Sequence, residues 1–348
     1  MNLPSAFQIG RSALIAGQHS MTVAGNNMAN AATPGYRRQR LGMVGISGPP
    51  YHGVGQIGNG VRTTGLTRAI DMALLARLRH SRADEAMLDA SQRVLVGVEG
   101  SLASAGEKGL AGAVEDFLSQ WSALAVSPSD PAMRGVIVEH GVGLAAQVRQ
   151  LRARLLEQRS EVDRSLQDGV NRVNQLLAEI ESLSDDIRAA ESAGGSNPTL
   201  RDQRDRLVDE LATLMGVTVV DRSDGTLDLL VGSTPIMLQG ASMGVSLSIT
   251  NSGAAFAVTL DGAPLAPGGS LGALVLRRAD GVEQMISRLD AFALQLIDAV
   301  NRVHVEGQGL HGRTTLTSFL GVNDPTIPLS QNGLHAPVTA GTISFKVW

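Results

Sequence analysis

At 348 residues the chain is longer than one ordinary domain, so two or three domains are expected. A net charge of −4 and a pI near 6.0 exclude a general electrostatic attraction to nucleic acid or to anionic membranes. Aromatic residues make up 3% of the chain and cysteine is absent, which disfavours a base-stacking surface, an aromatic enzyme core and a disulfide framework.

The first predicted element is a nearly uncharged helix within residues 1–36. Arg11 is the only side chain with a formal charge between Met1 and Tyr36. A helix on a protein surface normally has a charged face, so this one is expected to be buried by other chains. Pro34 and Gly35 predict its end and the turn that follows. Amide side chains that can bond neighbouring backbone groups precede that turn, at Asn26, Asn27 and Asn30.

Two repeats of seven residues run through this helix in register. Large apolar residues occupy one position and small residues lie three residues after them: Phe7, Leu14, Met21 and Met28, and Gly10, Gly17, Ala24 and Ala31. Small residues at one position of a heptad allow a second helix to approach closely. Later segments are richer in charge and less regular, so the partner is expected in another subunit or in sequence beyond this chain. The alternative is a first helix packed on its own domain.

Residues 37–216 predict an elongated helical rod that begins with a Gly- and Pro-rich passage with short strands over 37–65. Helices are predicted over 66–102, 110–126, 131–190 and 200–215, and Asp130 is the expected N-cap of the third. That third helix has a heptad seam and would be roughly 90 Å long. The residues predicted to face inward on the first two helices are Ile70, Leu74, Leu78, Leu88, Leu95, Val98 and Leu102, and Val114, Phe117, Leu118, Trp121 and Leu124.

The pattern changes to strands after Gly216. Strands are predicted at 217–220, 227–231, 245–250 and 255–260, with hairpin turns at Asp224-Gly225 and Asp261-Gly262. Residues 217–270 therefore predict a small antiparallel β domain, and residues 271–306 a helix that returns to the rod. Its predicted core stripe is Met285, Leu289, Phe292, Leu296, Val300 and Val303. Residues 307–348 predict the start of a further, truncated β region.

The predicted fold class is mainly α with a β insertion: an N-terminal assembly helix, an elongated helical-bundle or coiled-coil rod, and a small antiparallel β domain. The segment Asn26-Asn27-Met28-Ala29-Asn30-Ala31-Ala32-Thr33-Pro34-Gly35-Tyr36 resembles the N-terminal signature of bacterial flagellar axial proteins (rod, hook and hook-associated). Residues 54–68, 129–134 and 200–217 follow in an order that resembles the FlgK family of hook-associated proteins. Asp202-Gln203-Arg204-Asp205 is the most specific part of that resemblance.

This resemblance implies a structural protein of the bacterial flagellum that forms the junction between hook and filament and serves motility. Its implied partners are the hook protein, the filament-side junction protein, other copies of itself and an export chaperone. It would leave the cell by flagellar type III export without a cleaved signal peptide and act extracellularly in the flagellum. No enzyme activity, cofactor, metal, nucleic acid or membrane insertion is implied.

In this family a C-terminal helical arm pairs with the first helix, so the chain is expected to lack its C-terminal part, where the chaperone site is also expected. The resemblance assigns the subunit interface to ten residues near the N-terminus: Phe7, Leu14, Met21, Asn26, Asn27, Met28, Asn30, Pro34, Gly35 and Tyr36. The alternatives are another axial protein of the hook or rod, and an extracellular hydrolase carried on a flagellar scaffold.

Several motifs match enzyme or ligand sites by chance spacing. Residues 53–58 fit G-x-G-x-x-G, but prolines stand where a strand is needed. Residues 268–272 fit the G-x-S-x-G elbow around Ser270, which supports the hydrolase alternative, although a strand-to-helix connection explains them better. The seven histidines are scattered, so a metal site is disfavoured. The basic cluster at 36–40 is expected to be solvated or paired with acids.

Overall fold

The structure of the chain is a computed structural model that describes residues 3–48, 50–51, 55–56, 58–103, 109–192, 196–249 and 256–306. The chain divides into two units, Met1–Leu294 and Gln295–Trp348. All elements discussed below lie in the first unit, except that the last helix continues into the second. The β region predicted over 307–348 lies outside the described residues.

The N-terminal part is one long helix followed by a hairpin. Helix α1 (Leu3–Ala29) packs along strands β1 (Gln39–Gly45) and β4 (Val61–Arg68), which pair antiparallel. Two short strands, β2 (Pro50–Tyr51) and β3 (Gly55–Gln56), pair between them. The helix predicted from residue 66 is wrong at its start, because residues 66–68 still pair with β1 and Asp71 then caps the next helix through the N–H of Leu74 at 3.0 Å.

Four helices follow the hairpin. They are α2 (Met72–Ala103), α3 (Gly109–Val126), α4 (Pro131–Ser192) and α5 (Pro198–Met215). Asp130 caps α4 as predicted, since its Oδ1 accepts the N–H of Ala132 at 2.8 Å. Most of the predicted α4 seam is buried, and its completely buried members include Leu155, Leu166, Val173, Leu177, Ile180 and Ile187.

Of the residues predicted to face inward on α2, Val98 is buried as expected, but the leucines are not. These leucines face solvent, and Leu88 has 71% of its surface exposed. The buried face is turned away from them and holds Leu75, Arg79, Ala83, Ala90, Val94 and Val98. Small side chains on this face allow α2 to pack against α5 and against the helix that begins at Gly269. On α3, Phe117 is buried as predicted, but Leu118 is half exposed.

Because α2 is buried on this other face, substitutions at two positions only two residues apart should differ strongly in their effect on stability. Ala90→Leu should destabilise the chain by about 1–3 kcal/mol, because a larger side chain must enter a packed interface. Leu88→Ala should change stability by less than about 0.5 kcal/mol, because that side chain lies in solvent. Urea unfolding followed by circular dichroism measures both, and a larger loss for Leu88→Ala would contradict the assignment.

The β insertion contains two antiparallel sheets. The first is a meander of β5 (Val217–Asp221), β6 (Leu227–Val231), β7 (Thr234–Leu238) and β8 (Ala241–Ser242). The second joins β9 (Ser246–Ile249), β10 (Phe256–Leu260) and β11 (Ala263–Pro264). Sequence analysis missed β7, β8 and β11. Pro235 obscures β7, and the sheet accommodates it where the register of β6 shifts between Leu229 and Leu230.

The two predicted hairpin turns lie where expected. Asp261 and Gly262 have positive φ angles of 48° and 81° and connect β10 to β11. The insertion is attached to α4 by Asn174, whose amide exchanges two hydrogen bonds of 2.9 Å with the backbone of Val245. Buried residues of both sheets join the same apolar core as α4 and α5.

The helix predicted over 271–306 is confirmed in extent, but it is not α-helical throughout. It consists of α6 (Gly269–Arg277), a π-helical segment (Arg278–Glu283) and α7 (Gln284–Glu306). In the π-helical segment, buried Arg278 donates to Asp163 of α4. Of the predicted α7 stripe, Leu289 is buried, and Met285 and Phe292 pack on the core. Leu296, Val300 and Val303 lie in the second unit. The fold is therefore mainly α with a β insertion.

Candidate assembly surface

One face of α1 is an exposed apolar stripe. Phe7, Leu14, Met21 and Met28 are 73%, 77%, 77% and 80% exposed, although large apolar side chains are normally covered. A Cβ added to Gly10 or Gly17, the small positions beside them, would meet nothing within 4 Å. Among the described residues, therefore, nothing covers the stripe, and its small positions leave room for a second helix.

The opposite face of α1 packs on its own chain, so the contact named above as the alternative exists together with the exposed stripe. Ala16 is buried there, and Ser12 Oγ accepts the N–H of Val61 in β4 at 3.2 Å. Gly60 precedes Val61 with φ of 104°, and an added Cβ at that position would collide with the Ser12 hydroxyl. The hairpin therefore fixes which face of α1 points away from it.

The turn after α1 is closed by the side chain of Asn27. Its Nδ2 donates to the carbonyl of Gln39 at 2.9 Å, and its Oδ1 accepts the N–H of Gln39 at 2.8 Å. The hydroxyl of Tyr36 donates to the same Oδ1 at 2.8 Å. Partial burial, and secondarily the negative charge of Asp202, raise the pKa of Tyr36, so the phenol stays protonated as this donor. The end of α1 and the start of β1 are thus joined directly.

Asn30 organises the chain between Asn27 and Tyr36. Its Nδ2 donates to the backbone carbonyl and to Oδ1 of Asn26, at 3.0 and 2.8 Å. Thr33 Oγ1 donates to Asn30 Oδ1 at 3.2 Å. Pro34 and Gly35 are exposed, and Gly35 has a φ of 79° that favours glycine.

The ten predicted interface residues therefore divide into two sets. Phe7, Leu14, Met21 and Met28 form the exposed stripe. Asn26, Asn27, Asn30 and Tyr36 make hydrogen bonds within the chain that hold the turn. Pro34 and Gly35 lie in the turn itself, and Gly35 allows it to lie against α5. A Cβ added to Gly35 would lie 2.5 Å from Cδ of Arg206.

Sequence analysis missed the residues of α5 that receive this turn. The N–H of Arg37 donates to Asp202 Oδ2 at 3.0 Å, and Arg68 at the end of β4 pairs with Asp202 and Asp205. The sequence does contain a sign of this contact, because acidic residues spaced by three and four share one face of a helix. The same residues carry the family resemblance, and the resemblance by itself does not indicate a contact surface.

Two arginines of α5, Arg201 and Arg204, contact other parts of the chain. Arg201 forms two hydrogen bonds to Glu191 near the end of α4, at 2.7 and 2.8 Å. Arg204 is completely buried and donates to the carbonyl of Gly225 in the turn between β5 and β6, at 2.7 Å. Desolvation lowers the pKa of Arg204, and its neighbour Asp221 opposes that effect. Helix α5 thus contacts the N-terminal part, the long helix and the β insertion.

The motifs that matched enzyme sites have structural explanations where they are described. Gly268 and Gly269 lie where the start of α6 meets the end of α5, Gly272 lies against the backbone of Pro267, and Ser270 is in the first turn of α6. Part of the 53–58 match lies outside the described residues. Within the described ranges, no group of three or more His, Cys, Asp or Glu side chains could hold a metal, and no helix is long and apolar enough to cross a membrane.

Comparisons with known proteins match the N-terminal helix and a longer, later part of the chain to two different family models. Residues 7–37, which contain the stripe and the turn, match the family model described as flagella basal body rod protein. Residues 95–319 match the model described as flagellar hook-associated protein FlgK helical domain.

Individual relatives match most of the chain. Flagellar hook-associated protein 1 of Salmonella typhimurium is 26% identical over 341 residues, which cover 94% of this chain and 61% of the relative. The protein of the same name from Escherichia coli is 27% identical, over 91% and 60%. The chain therefore spans about three fifths of the length of these relatives. The solved structure of the flagellar hook junction protein FlgK from Burkholderia pseudomallei aligns with 22% identity and a TM-score of 0.49, over 58% of this chain and 38% of that one.

Proposed function

Because the chain belongs to the family of the flagellar hook-associated protein FlgK, we propose that it is a structural component of the bacterial flagellum at the junction between hook and filament. The observation that carries the proposal is the exposed stripe of α1. A helix with a single charged side chain, Arg11, and four large apolar side chains more than 70% exposed is suited to burial in an assembly. A subunit of a helical array needs contacts that join one copy to the next without closing on themselves.

The proposed interface consists of the ten predicted residues in two roles. Phe7, Leu14, Met21 and Met28 contact a helix of another subunit or of further sequence of the same protein. The turn residues Asn26, Asn27, Asn30, Pro34, Gly35 and Tyr36 set the direction of α1 and border the contact. In the proposed organisation, residues 1–36 are the assembly helix, 37–216 and 271–306 the rod, and 217–270 the β domain.

The proposed partners follow from this position. The hook protein lies below, the filament-side junction protein lies above, and other copies of the chain lie beside it. We further propose that the protein is exported by the flagellar type III pathway without a cleaved signal peptide, with the help of an export chaperone. Its role is then mechanical, with no enzymatic step.

Deleting the gene from the source bacterium tests the junction. Cells should still build hooks, because the hook lies below the junction, but no filament should grow on them. Filament protein should instead be found in the medium. Electron microscopy of the cells and immunoblots of the medium measure the two results, and a plasmid copy of the gene should restore both.

Two other outcomes would contradict the proposal. Filaments of normal length on the deletion strain would show that the chain is not needed at the junction. Loss of the hook together with the filament would favour the alternative of a hook or rod protein, because such a protein acts earlier in assembly.

A further inference from the structure

Three of the four acidic residues of α5 lie on one face of the helix. Asp202, Asp205 and Asp209 are spaced by three and four residues, so they lie along one side of the helix. Arg68 Nη1 lies 3.0 Å from Asp202 Oδ1 and 2.6 Å from Asp205 Oδ2. Arg79 of α2 continues the row, with its Nε 2.6 Å from Asp209 Oδ1.

Asp202 contacts both strands of the hairpin at the same end. Its Oδ1 accepts from Arg68, the last residue of β4, and its Oδ2 accepts the backbone N–H of Arg37, two residues before β1. Gln39 and Arg68 are opposite each other in the β1–β4 register. A single carboxylate therefore binds the two strands where the hairpin leaves the rod.

These charges are largely removed from solvent. The side chains of Arg68 and Asp202 are 12% and 8% exposed. Asp205 and Asp202 raise the pKa of Arg68, opposing the burial that would lower it, so the guanidinium remains charged. A buried pair with hydrogen bonds on both sides has a defined geometry, unlike an exposed pair between two flexible side chains.

The hairpin in turn fixes α1. Asn27 is bonded to Gln39 through two hydrogen bonds, and Ser12 is bonded to Val61. Any rotation of the hairpin relative to α5 would therefore carry the exposed stripe of α1 with it.

We propose that Asp202 is a positioning residue for assembly: it sets the direction in which α1, and with it the stripe, projects from the rod. The consequence for assembly rests on the proposed function, but the geometry does not. Asp202 is bonded to Arg68 and Arg37 and not to the stripe, so it acts through the hairpin.

The variant Asp202→Asn tests this with almost no change of shape. Arg37 and Arg68 donate to different oxygens of the carboxylate. In asparagine an NH₂ group replaces one of these oxygens, so one of the two donors would face another donor. The chain contains no cysteine, so the pair His19→Cys on α1 and Asp168→Cys on α4 gives two exposed sites for spin labels. Double electron–electron resonance on the isolated protein then measures the distance between α1 and the rod.

With Asp202 present, the distances between the two spin labels should form one narrow distribution. In Asp202→Asn this distribution should broaden or shift, while the unfolding temperature stays the same. Arg68→Gln, which removes the cation from the hairpin side, should have the same effect. Glu210→Gln is the matched control, because it also removes one charge and one ion pair from α5, the exposed pair with Arg172 at 2.8 Å. It should leave the distance unchanged.

An unchanged distance distribution in both Asp202→Asn and Arg68→Gln would overturn the proposal. So would a parent distribution that is already as broad as those of the variants. Neither measurement involves a flagellum, so the result is separate from the deletion experiment. If α1 is positioned as proposed but deletion strains grow normal filaments, the proposed function fails and the role of Asp202 in the geometry stands.

Discussion

Replacing Leu14 with Asp should leave the isolated chain folded and keep it out of the flagellum. Leu14 is 77% exposed on α1, so the substitution removes no packing within the described part of the chain. In the proposed assembly the same position is covered by another helix. The change would remove about 2 kcal/mol of apolar burial per subunit and add a carboxylate whose desolvation costs several kcal/mol. A junction built from many copies repeats this loss at every contact.

The measurement is the amount of the protein in purified flagella, by immunoblot, together with swimming in soft agar. Circular dichroism of the purified variant checks that the helices are retained. His19→Asp is the matched control, because it places the same charge at an exposed position of the same helix away from the stripe. It should be incorporated at close to the normal level. Normal incorporation of Leu14→Asp would refute the assignment of the stripe as an interface.

Gly269→Ala should lower the free energy of unfolding more than the same substitution at Gly232. Gly269 has a φ of 57°, and an added Cβ would overlap the carbonyl oxygen of Thr213 and lie 2.8 Å from the carbonyl carbon of Leu214. These are backbone atoms, so they cannot rotate away. The start of α6 is also held in place, because the N–H of Gly268 donates to the carbonyl of Met215 at 2.7 Å. We expect a loss of about 2–5 kcal/mol, from the left-handed conformation and from overpacking.

Gly232→Ala separates these two causes. Gly232 has a φ of 60°, almost the same as Gly269, but an added Cβ there would meet nothing within 4 Å. Gly232→Ala should lower the free energy of unfolding by about 1–2 kcal/mol, because only the left-handed backbone conformation opposes the alanine. Urea unfolding measures the free energy of unfolding of each variant, and the values are comparable when the dependence on urea concentration is the same. Equal losses for Gly232→Ala and Gly269→Ala would show that close packing of α5 and α6 is not the reason for this glycine. Ser270→Ala should have little effect, because the G-x-S-x-G spacing is explained by the glycines.

Long regular patterns predicted the fold well. The seam of α4 was readable because the helix is mostly packed along one side, so apolar spacing and burial coincide. The cap at Asp130 and the turn at Asp261-Gly262 depend on neighbouring residues alone, which makes them visible in the sequence. The same holds for the stripe of α1, where four large apolar residues recur at three equal intervals with Arg11 as the one charged residue between them.

The predictions failed where a distant element decides the outcome. The leucines of α2 have the larger apolar side chains, but α2 is buried through Ala83, Ala90 and Arg79, because α5 and α6 approach that side. Arg79 is buried because Asp209 lies 2.6 Å away, and the two are 130 residues apart in sequence. The contacts of Asp202 likewise join residues 134 and 165 positions away. Local periodicity does not contain such information.

Helix α1 has a fixed azimuth about its own axis. Ser12 and Asn27 are tied to the hairpin, so the side presenting Phe7, Leu14, Met21 and Met28 is selected within the subunit, before any partner is met. An incoming helix then has one longitudinal register to find and no rotational search to make. The entropy of ordering is lost mainly during folding, which leaves more of the contact energy available for polymer growth.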